Sequence, residues 1–371
     1  MKNNLGIVYL QMKKIEIALF TGIVLIVVTG LWSCKNSEPG GDPNLLTWIN
    51  CTGTDIDTTT YYVSTTGDNA NSGRSPATAF KTLGRAFTII RPGGTIRILA
   101  GTYYEGIVLS ICGNASIPIT VEGYQGIPVL DGQGVIAMGL FCSECTNMIF
   151  KNLRIQNYTD LGIGFDKCNT ILIRDLEVLE NGHAVQMTGW ELEGYGIHVD
   201  YSENIEIRNN NVYRNGPDPQ IFPNFLMGTG INTFGNTNVV IADNVSYQNI
   251  GGGILVEDSW DVLVERNEIY ENNLDATSDG WWDGGIWLDG GGNVIIRDNN
   301  IHDNLGPGLE VSNEDNQWIR GYVLENNVST NNYYGIYLWN FGTTTWPDTA
   351  IIKDVNNNFS GNSVQNIWIA P

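Results

Sequence analysis

Positive charge is what this sequence has least of: 19 Lys and Arg stand against 40 Asp and Glu, for a formal net charge of −21. That balance argues against nucleic acid or an anionic membrane surface as a partner, since both attract basic proteins. It suits bound cations or a neutral, hydroxyl-rich ligand. Charge of either sign makes up only 16% of the residues, which excludes a solvated helical protein. Cysteine is sparse as well, six in 371 residues. Cys142 and Cys145 have a CxxC spacing, but no second pair or histidine cluster accompanies them, so no metal site is expected there. With Cys34 set aside, Cys51, Cys112, Cys142, Cys145 and Cys168 form an odd set. Buried thiols, or one disulfide between neighbouring turns of the chain, is the expectation. Aromatics (11 Trp, 16 Tyr, 11 Phe) and glycine (44) are plentiful. The length allows one large domain with a sizeable core.

The N-terminus has its own pattern. In "MKKIEIALFTGIVLIVVTGLWSC", Lys13 and Lys14 precede an apolar run from Ile17 to Val28, and Leu31-Trp32-Ser33-Cys34 follows. This is a secretory signal with a small residue before cysteine, and Met12 is a suitable start for it. It resembles a bacterial lipoprotein signal. The resemblance implies that residues 1–33 are removed, that Cys34 carries lipid, and that the exported product is tethered to the bacterial outer membrane, at the cell surface or the periplasmic face. A single membrane anchor is the alternative, less suited to the polar "KNSEPGGDPN" that follows. Loss of three lysines and one glutamate would take the net charge from −21 to −23. Residues 34–60 then read as a linker and 61–371 as the folded domain.

The domain repeats itself. Five windows share a 21-residue layout: 161–181, 195–215, 229–249, 252–272 ("GGILVEDSWDVLVERNEIYEN") and 284–304 ("GGIWLDGGGNVIIRDNNIHDN"). Looser versions run from Pro307 to Asn331 and from Tyr334 to Asn362. Each window holds three short pieces in which apolar residues alternate, as in Ile286 and Leu288, then Val294 and Ile296, then Ile301. That period of two buries one face of a strand. Asn181, Asn215, Asn249, Asn272 and Asn304 end the windows, and Asn210, Asn244, Asn267 and Asn299 lie five residues earlier, with Leu176 in the first window. Asparagine tolerates left-handed backbone and bonds neighbouring peptide groups, so stacked asparagines can turn a chain and bond each other. Coils that each bury a face only by stacking make a solenoid. Three strands per coil make it an all-β parallel β-helix with three sheets.

On these columns the sequence resembles the right-handed parallel β-helix proteins of the pectin-lyase-like superfamily. The segment "YYVSTTGDNANSGRSPATAFKTLGRAFTIIRPGGTIRILAGTYYEG" is similar to their opening, and implies a capping helix near Ala77–Ile89 before the first coil. The fold hosts lyases, hydrolases, epimerases and non-enzymatic spikes, so it does not by itself name an activity.

Between one window and the next, gaps of 13, 13 and 11 residues follow Asn181, Asn215 and Asn272, whereas two residues follow Asn249 and Asn304. Insertions on one side of a solenoid mark a binding face. They carry Trp190, Glu191, Phe222, Phe225, Met227, Trp281, Trp282 and Asp283. The resemblance implies the same, since loops before this strand flank the superfamily's groove. In "G-I-x-V-x" the two x positions point away from the core. One column reads Gly164, His198, Asn232, Leu255, Trp287, Glu310, Tyr337, and the other Asp166, Asp200, Phe234, Glu257, Asp289, Ser312, Trp339. Carboxylates, one histidine and large aromatics suit a sugar, whose ring stacks on aromatic faces and whose hydroxyls meet the acids. Solvated strand positions would account for Asp, Asn and Ser, but outward Trp287, Tyr337 and Trp339 have no folding reason on a bare face.

Coils repeat at about 4.8 Å and residues along a strand at about 3.3 Å, which puts Glu257 and Asp289 about 5 Å apart and Asp289 and Glu310 roughly 8 Å apart along the backbone. The second spacing suits an inverting glycosidase, with water between the acids. Asp289 and Glu310 are therefore the expected acid/base pair, with Glu257 beside them to raise one partner's pKa by repulsion. His198, Asp200, Asn232, Trp287, Tyr337, Trp339, Trp281, Trp282 and Asp283 are expected to bind or orient the sugar. The expected activity is cleavage of a polysaccharide or oligosaccharide outside the cytoplasm by a glycoside hydrolase that needs no cofactor. Many lyases of the superfamily use Lys or Arg as base, and neither column contains one. A Ca2+-dependent lyase or uronate epimerase is the alternative, with Glu257, Asp283, Asp289 and Glu310 on the metal and His198 or Tyr337 moving the proton. A non-catalytic glycan-binding lipoprotein is the third reading.

Overall fold

A computed structural model describes residues 47–48, 56–183, 192–217, 226–274, 283–313, 321–339, 346–347 and 351–370. The strands of these residues form three long sheets of eleven, nine and eleven strands and a two-stranded one. Successive coils pair in parallel. Tyr195–Asp200 lies on Ile231–Phe234, Glu203–Arg208 on Thr237–Ala242, and Asn211–Tyr213 on Val245–Tyr247. One coil thus gives one strand to each sheet, and the chain winds as a solenoid. The first sheet holds the "G-I-x-V-x" strands. Its pairing reaches back to Thr47–Trp48, which lies on Ile107–Ser110 within the stretch expected to be linker.

The core is the alternation made solid. Ile197 and Val199, Ile286 and Leu288, Leu309 and Val311, and Ile336 and Leu338 belong to one buried apolar cluster. Each such side chain stabilises the fold by about 1.5–3 kcal/mol when fully buried. Thr233, in a position that is valine, leucine or phenylalanine in the other coils from Phe165 to Leu338, is equally buried and donates its hydroxyl hydrogen to Leu255 O at 2.8 Å.

Two asparagine ladders run along the corners. Asn244 is representative. Its Oδ1 accepts from Asn210 N and Asn210 Nδ2, both at 2.9 Å, and its Nδ2 donates to Ile207 O at 2.9 Å and Asn267 Oδ1 at 3.0 Å. The window-ending column repeats this from Asn181 through Asn215, Asn249 and Asn272 to Asn304. The left-handed residue is not the ladder asparagine but the one before it. Asn209, Asp243, Arg266 and Asp298 have φ of 55°, 58°, 52° and 56°. The ladder residue keeps ordinary backbone and spends its side chain on the neighbouring coils.

A third corner column accounts for Cys168. Ser202 Oγ donates to Asp200 O at 2.7 Å and Ser259 Oγ to Glu257 O at 2.8 Å, and one coil before Ser202, Cys168 Sγ donates to Asp166 O at 3.4 Å. Cys142, Cys145 and Cys168 are free, buried thiols, and Cys112 is disulfide-bonded. Cys34 and Cys51 lie outside the described residues.

The expected capping helix is shorter than its pattern. A 3-10 turn at Pro76–Thr78 and an α-helix at Leu83–Phe87 replace a continuous Ala77–Ile89 helix. Between them Phe80 bridges Val63, and its N–H donates to Tyr62 O at 2.8 Å. A strand partner thus outcompetes the helical turn there. The helix starts at Thr82, whose hydroxyl accepts from Arg85 N, and buries Leu83, Ala86 and Phe87.

Candidate functional site

The first sheet stacks the two outward columns in the expected register. His198 pairs with Gly164 and Asn232, Trp287 with Leu255 and Glu310, and Tyr337 with Glu310. In the other column Asp200 pairs with Asp166 and Phe234, Asp289 with Glu257 and Ser312, and Trp339 with Ser312. Asp289 and Glu310 therefore lie one coil and two residues apart. The ends of two insertions, Leu192–Glu193 and Leu226–Met227, pair with each other as a short parallel sheet.

Exposure departs from expectation. The columns point away from the core cluster, which includes Ile286 and Leu288 but not Trp287. Yet they do not stand open to solvent: Glu310 is 1% exposed, Asp289 and Asn232 4%, Trp287 5%, His198 and Asp200 6%. Trp287 and Trp339 have a folding reason after all, because their indole N–H groups hold the polar side chains of the face. Trp287 Nε1 donates to Ser312 Oγ at 2.6 Å, and Ser312 Oγ to Asp289 Oδ1 at 3.1 Å. Trp339 Nε1 donates to Glu310 Oε1. Tyr337 stacks on Trp368 with ring centroids 4.7 Å apart. Glu257 is half-buried on the coil before Asp289.

Two phenols flank the acids. Tyr322, whose hydroxyl donates to Gly290 O, is pushed well above the usual phenol value by burial, with Asp289 and Asp258 adding to it. Tyr337 is pushed up by burial and by Glu310. Both are therefore neutral hydrogen-bond donors at physiological pH and poor bases.

Asp283 is a second kind of acid. It is 1% exposed, its Oδ2 accepts from Gly252 N at 2.8 Å, and its Oδ1 is buried with no partner. Burial raises its pKa to about 6, against the opposing Gly252 hydrogen bond. Gly284, next in sequence, has to be glycine where it passes Glu310, since a Cβ there would come within 2.9 Å of Glu310 Cβ. The motif marked Asp283 as a sugar contact. Its displaced proton affinity was not readable, because the burial that causes it comes from tertiary packing.

Three coils from Asp289 lies a second cluster. His198 Nε2 donates to Asp200 Oδ2 at 2.7 Å, and His198 Nδ1 meets Asn232 Nδ2 at 3.1 Å. Tyr195 packs on the imidazole, ring centroids 4.5 Å apart, and gives its hydroxyl hydrogen to Glu193 Oε2 at 3.1 Å. Burial alone would lower the histidine's pKa, but the charge and hydrogen bond of Asp200, with Glu193 and Asp160 behind it, raise it above the usual value. In the neutral ring Nδ1 accepts from the Asn232 amide; the imidazolium calls for that amide turned over, so that Oδ1 accepts.

Trp281 and Trp282 lie outside the described residues, as do Trp190, Glu191, Phe222 and Phe225. Among the described residues no group of three or more His, Cys, Asp or Glu side chains is arranged to hold a metal ion. Among the same residues no helix is long and apolar enough to cross a membrane.

Residues 192–370 match the family model of a right-handed beta helix region. No protein of curated function matches the chain. Among solved structures it is similar to a pectate lyase, at 18% identity and TM-score 0.63 over 86% of this chain and 80% of that one. An alginate lyase from Paenibacillus sp. str. FPU-7 gives 17% identity and TM-score 0.59 over 76% of this chain and 94% of that one. A GH136 lacto-N-biosidase from Eubacterium ramulus gives 14% identity and TM-score 0.56 over 84% and 68%. At such identities the likeness speaks for the fold. Together with the three parallel sheets, it makes this chain a right-handed parallel β-helix.

Proposed function

We propose that the chain is a carbohydrate-active enzyme that hydrolyses a glycosidic bond on the outer face of its first sheet. The observation that carries this is the Asp289 and Glu310 pair: two acids on adjacent coils, two residues out of register, each held by an indole or hydroxyl donor. Their backbone offset of roughly 8 Å leaves room for a water between the carboxyl groups. One carboxylic acid would protonate the glycosidic oxygen as the bond to the anomeric carbon breaks. The other carboxylate would take a proton from the water whose oxygen bonds that carbon on the opposite face. Glu257, on the coil before, keeps a third negative charge close and favours one of the three holding a proton. Tyr337 and Trp339 present ring surface beside Glu310, and His198, Asp200, Asn232, Asp283 and Trp287 would orient the glycan. Trp281 and Trp282 are assigned to the same binding surface from the sequence alone.

The fold's occurrence in a lacto-N-biosidase and in two polysaccharide lyases supports a glycan as the partner. We place the enzyme outside the cytoplasm, lipid-anchored through Cys34 to the bacterial outer membrane. A lyase or epimerase is the second reading, favoured by the His198–Asp200 hydrogen bond, which provides a proton-transfer group on the same face.

The test is a glycan screen of the purified chain, with calcium or with EDTA, reading new reducing ends and the ultraviolet absorbance of unsaturated uronate together. Hydrolysis gives reducing ends without absorbance, is indifferent to EDTA and is lost in Asp289→Asn and Glu310→Gln. Absorbance that disappears with EDTA would turn the assignment to a calcium-dependent lyase. Binding without any product would make the chain a glycan-binding protein.

A further inference from the structure

Buried polar atoms without partners on this face are oxygens. Asp200 Oδ1, Asn232 Oδ1, Asn273 Oδ1 and Asp283 Oδ1 meet no donor. An amide can turn over, but a carboxylate cannot, so Asp200 and Asp283 offer acceptors in either case. The residues also keep a little solvent access. Asp200 is 6% and Asn232 4% exposed, while the strand neighbours Ile197, Val199 and Ile231 are at 0%. That small access separates this pair from the core.

The charges around them are mainly negative. Glu193, Asp200 and Glu257 act on Tyr195, and Asp166 and Asp258 join Asp200 and Glu257 around Tyr201. Against these stand Lys167, ion-paired to Asp166 at 3.4 Å, and His198, paired to Asp200 at 2.7 Å. The first-sheet strands from Leu161–Asp166 to Tyr334–Trp339 contain no Lys or Arg, and neither do residues 184–191, 218–225 and 275–282. A uronate would bring further acceptors and a further negative charge to this surface. Sugar hydroxyls and acetamido N–H groups bring the donors it lacks.

We infer that this face takes a glycan without carboxylate groups, built of neutral hexose, pentose or N-acetylhexosamine units, with a sugar donor group bonded to Asp200 Oδ1. This rests on the reading of the face as a glycan site, and it names the substrate class of that site. It also sets the chain apart from the pectate and alginate lyases whose fold it shares.

The experiment is a binding titration on matched polymers, using the full chain carrying Asp289→Asn so that nothing is turned over. Polygalacturonate is compared with its carboxyl-reduced form, and alginate with its own. Neutral galactan, xylan, mannan, β-glucan and N-acetylhexosamine oligosaccharides complete the panel. At least one neutral glycan is expected to bind about tenfold or more tighter than any uronate polymer, a gap of about 1.4 kcal/mol. Added salt should narrow that gap by screening the repulsion. Asp200→Asn should weaken the neutral ligand and shrink the discrimination, whereas Asn232→Asp, a second variant checked for folding by circular dichroism, should widen it. Tighter binding of a uronate polymer, or no binding across the panel, would overturn the inference. The two readings fail separately. A neutral glycan bound but never cleaved by the native chain sinks the hydrolase and leaves the inference standing. A uronate polymer hydrolysed by it does the reverse.

Discussion

Asparagine is buried in two kinds of place in this molecule, and the two are satisfied differently. In the corner ladders Asn244 Oδ1 accepts two hydrogen bonds from Asn210 and its Nδ2 gives two. On the first-sheet face the Asn232 amide makes a single side-chain hydrogen bond, to His198, and its other end meets no partner. Both are nearly inaccessible to solvent, at 1% and 4% exposure. A polar group that builds the coil is closed by its own neighbours. One left open in a buried position costs stability, and such costs persist where a ligand supplies what is missing. The comparison separates scaffold from site with one residue type.

The largest effects should fall on opposite sides of that division. Glu310→Gln and Asp289→Asn are expected to lower turnover by about 10²–10⁴-fold, the usual worth of a positioned acid or base, with little change in unfolding free energy. Asn244→Leu should leave Asn210 N, Asn210 Nδ2, Ile207 O and Asn267 Oδ1 short of a partner. It should destabilise the fold by about 3–5 kcal/mol, read as a lower urea midpoint. Asn232→Leu, which removes no comparable network, should cost about 1 kcal/mol or less while weakening glycan binding. An Asn232→Leu loss as large as that of Asn244→Leu would erase the distinction.

The scaffold side of the comparison was legible in sequence, and the site side only in part. A period of two tells which way each side chain points, and the equal windows tell which residues stack. So Asp289 and Glu257, or His198 and Asn232, could be placed as neighbours from the text alone. Periodicity does not tell whether a second layer covers the face that points outward. That is why Trp287 and Glu310 were expected to be open and are buried. The residue that turns the corner was misassigned for a similar reason. Both Asp243 and Asn244 are turn formers, and only the hydrogen bonds reveal that Asn244 serves the neighbouring coils while Asp243 takes the left-handed backbone. Cys168 was legible only as a buried thiol, because a thiol standing in for a serine hydroxyl in a corner column has no sequence signature.

Asp283 sharpens the comparison through pH. A carboxyl whose pKa is about 6 in the folded chain against a usual 3.8 binds its proton more tightly folded than unfolded. Below about pH 4 both states are protonated and no penalty exists. As pH rises toward 6 and above, the folded chain carries a buried charge, which costs on the order of 2–3 kcal/mol at 1.36 kcal/mol per unit. Asp283→Asn keeps an acceptor for Gly252 N and carries no charge. It should therefore stabilise the chain at pH 8 by that amount and leave it unchanged at pH 4, as thermal unfolding at the two pH values would report. A gain that persists at pH 4 would mean that packing, and not charge, sets the environment of Asp283.

His198 gives the smallest of these effects, in a different window. Its pKa is raised in the folded chain, with Asp200 outweighing burial, so its contribution is fully present below the unfolded value of about 6.5. It is lost as pH rises through the folded value. In His198→Gln that contribution is absent at every pH. The stability difference between native chain and variant should therefore be largest near pH 6 and shrink toward pH 9. The two acid–base groups thus titrate apart: Asp283→Asn changes the profile between about pH 4 and 6, and His198→Gln changes it above about 6.5. If one variant moved both windows, the Asp283 and His198 ends of the face would be a single coupled network, and the open acceptors would belong to one site three coils long.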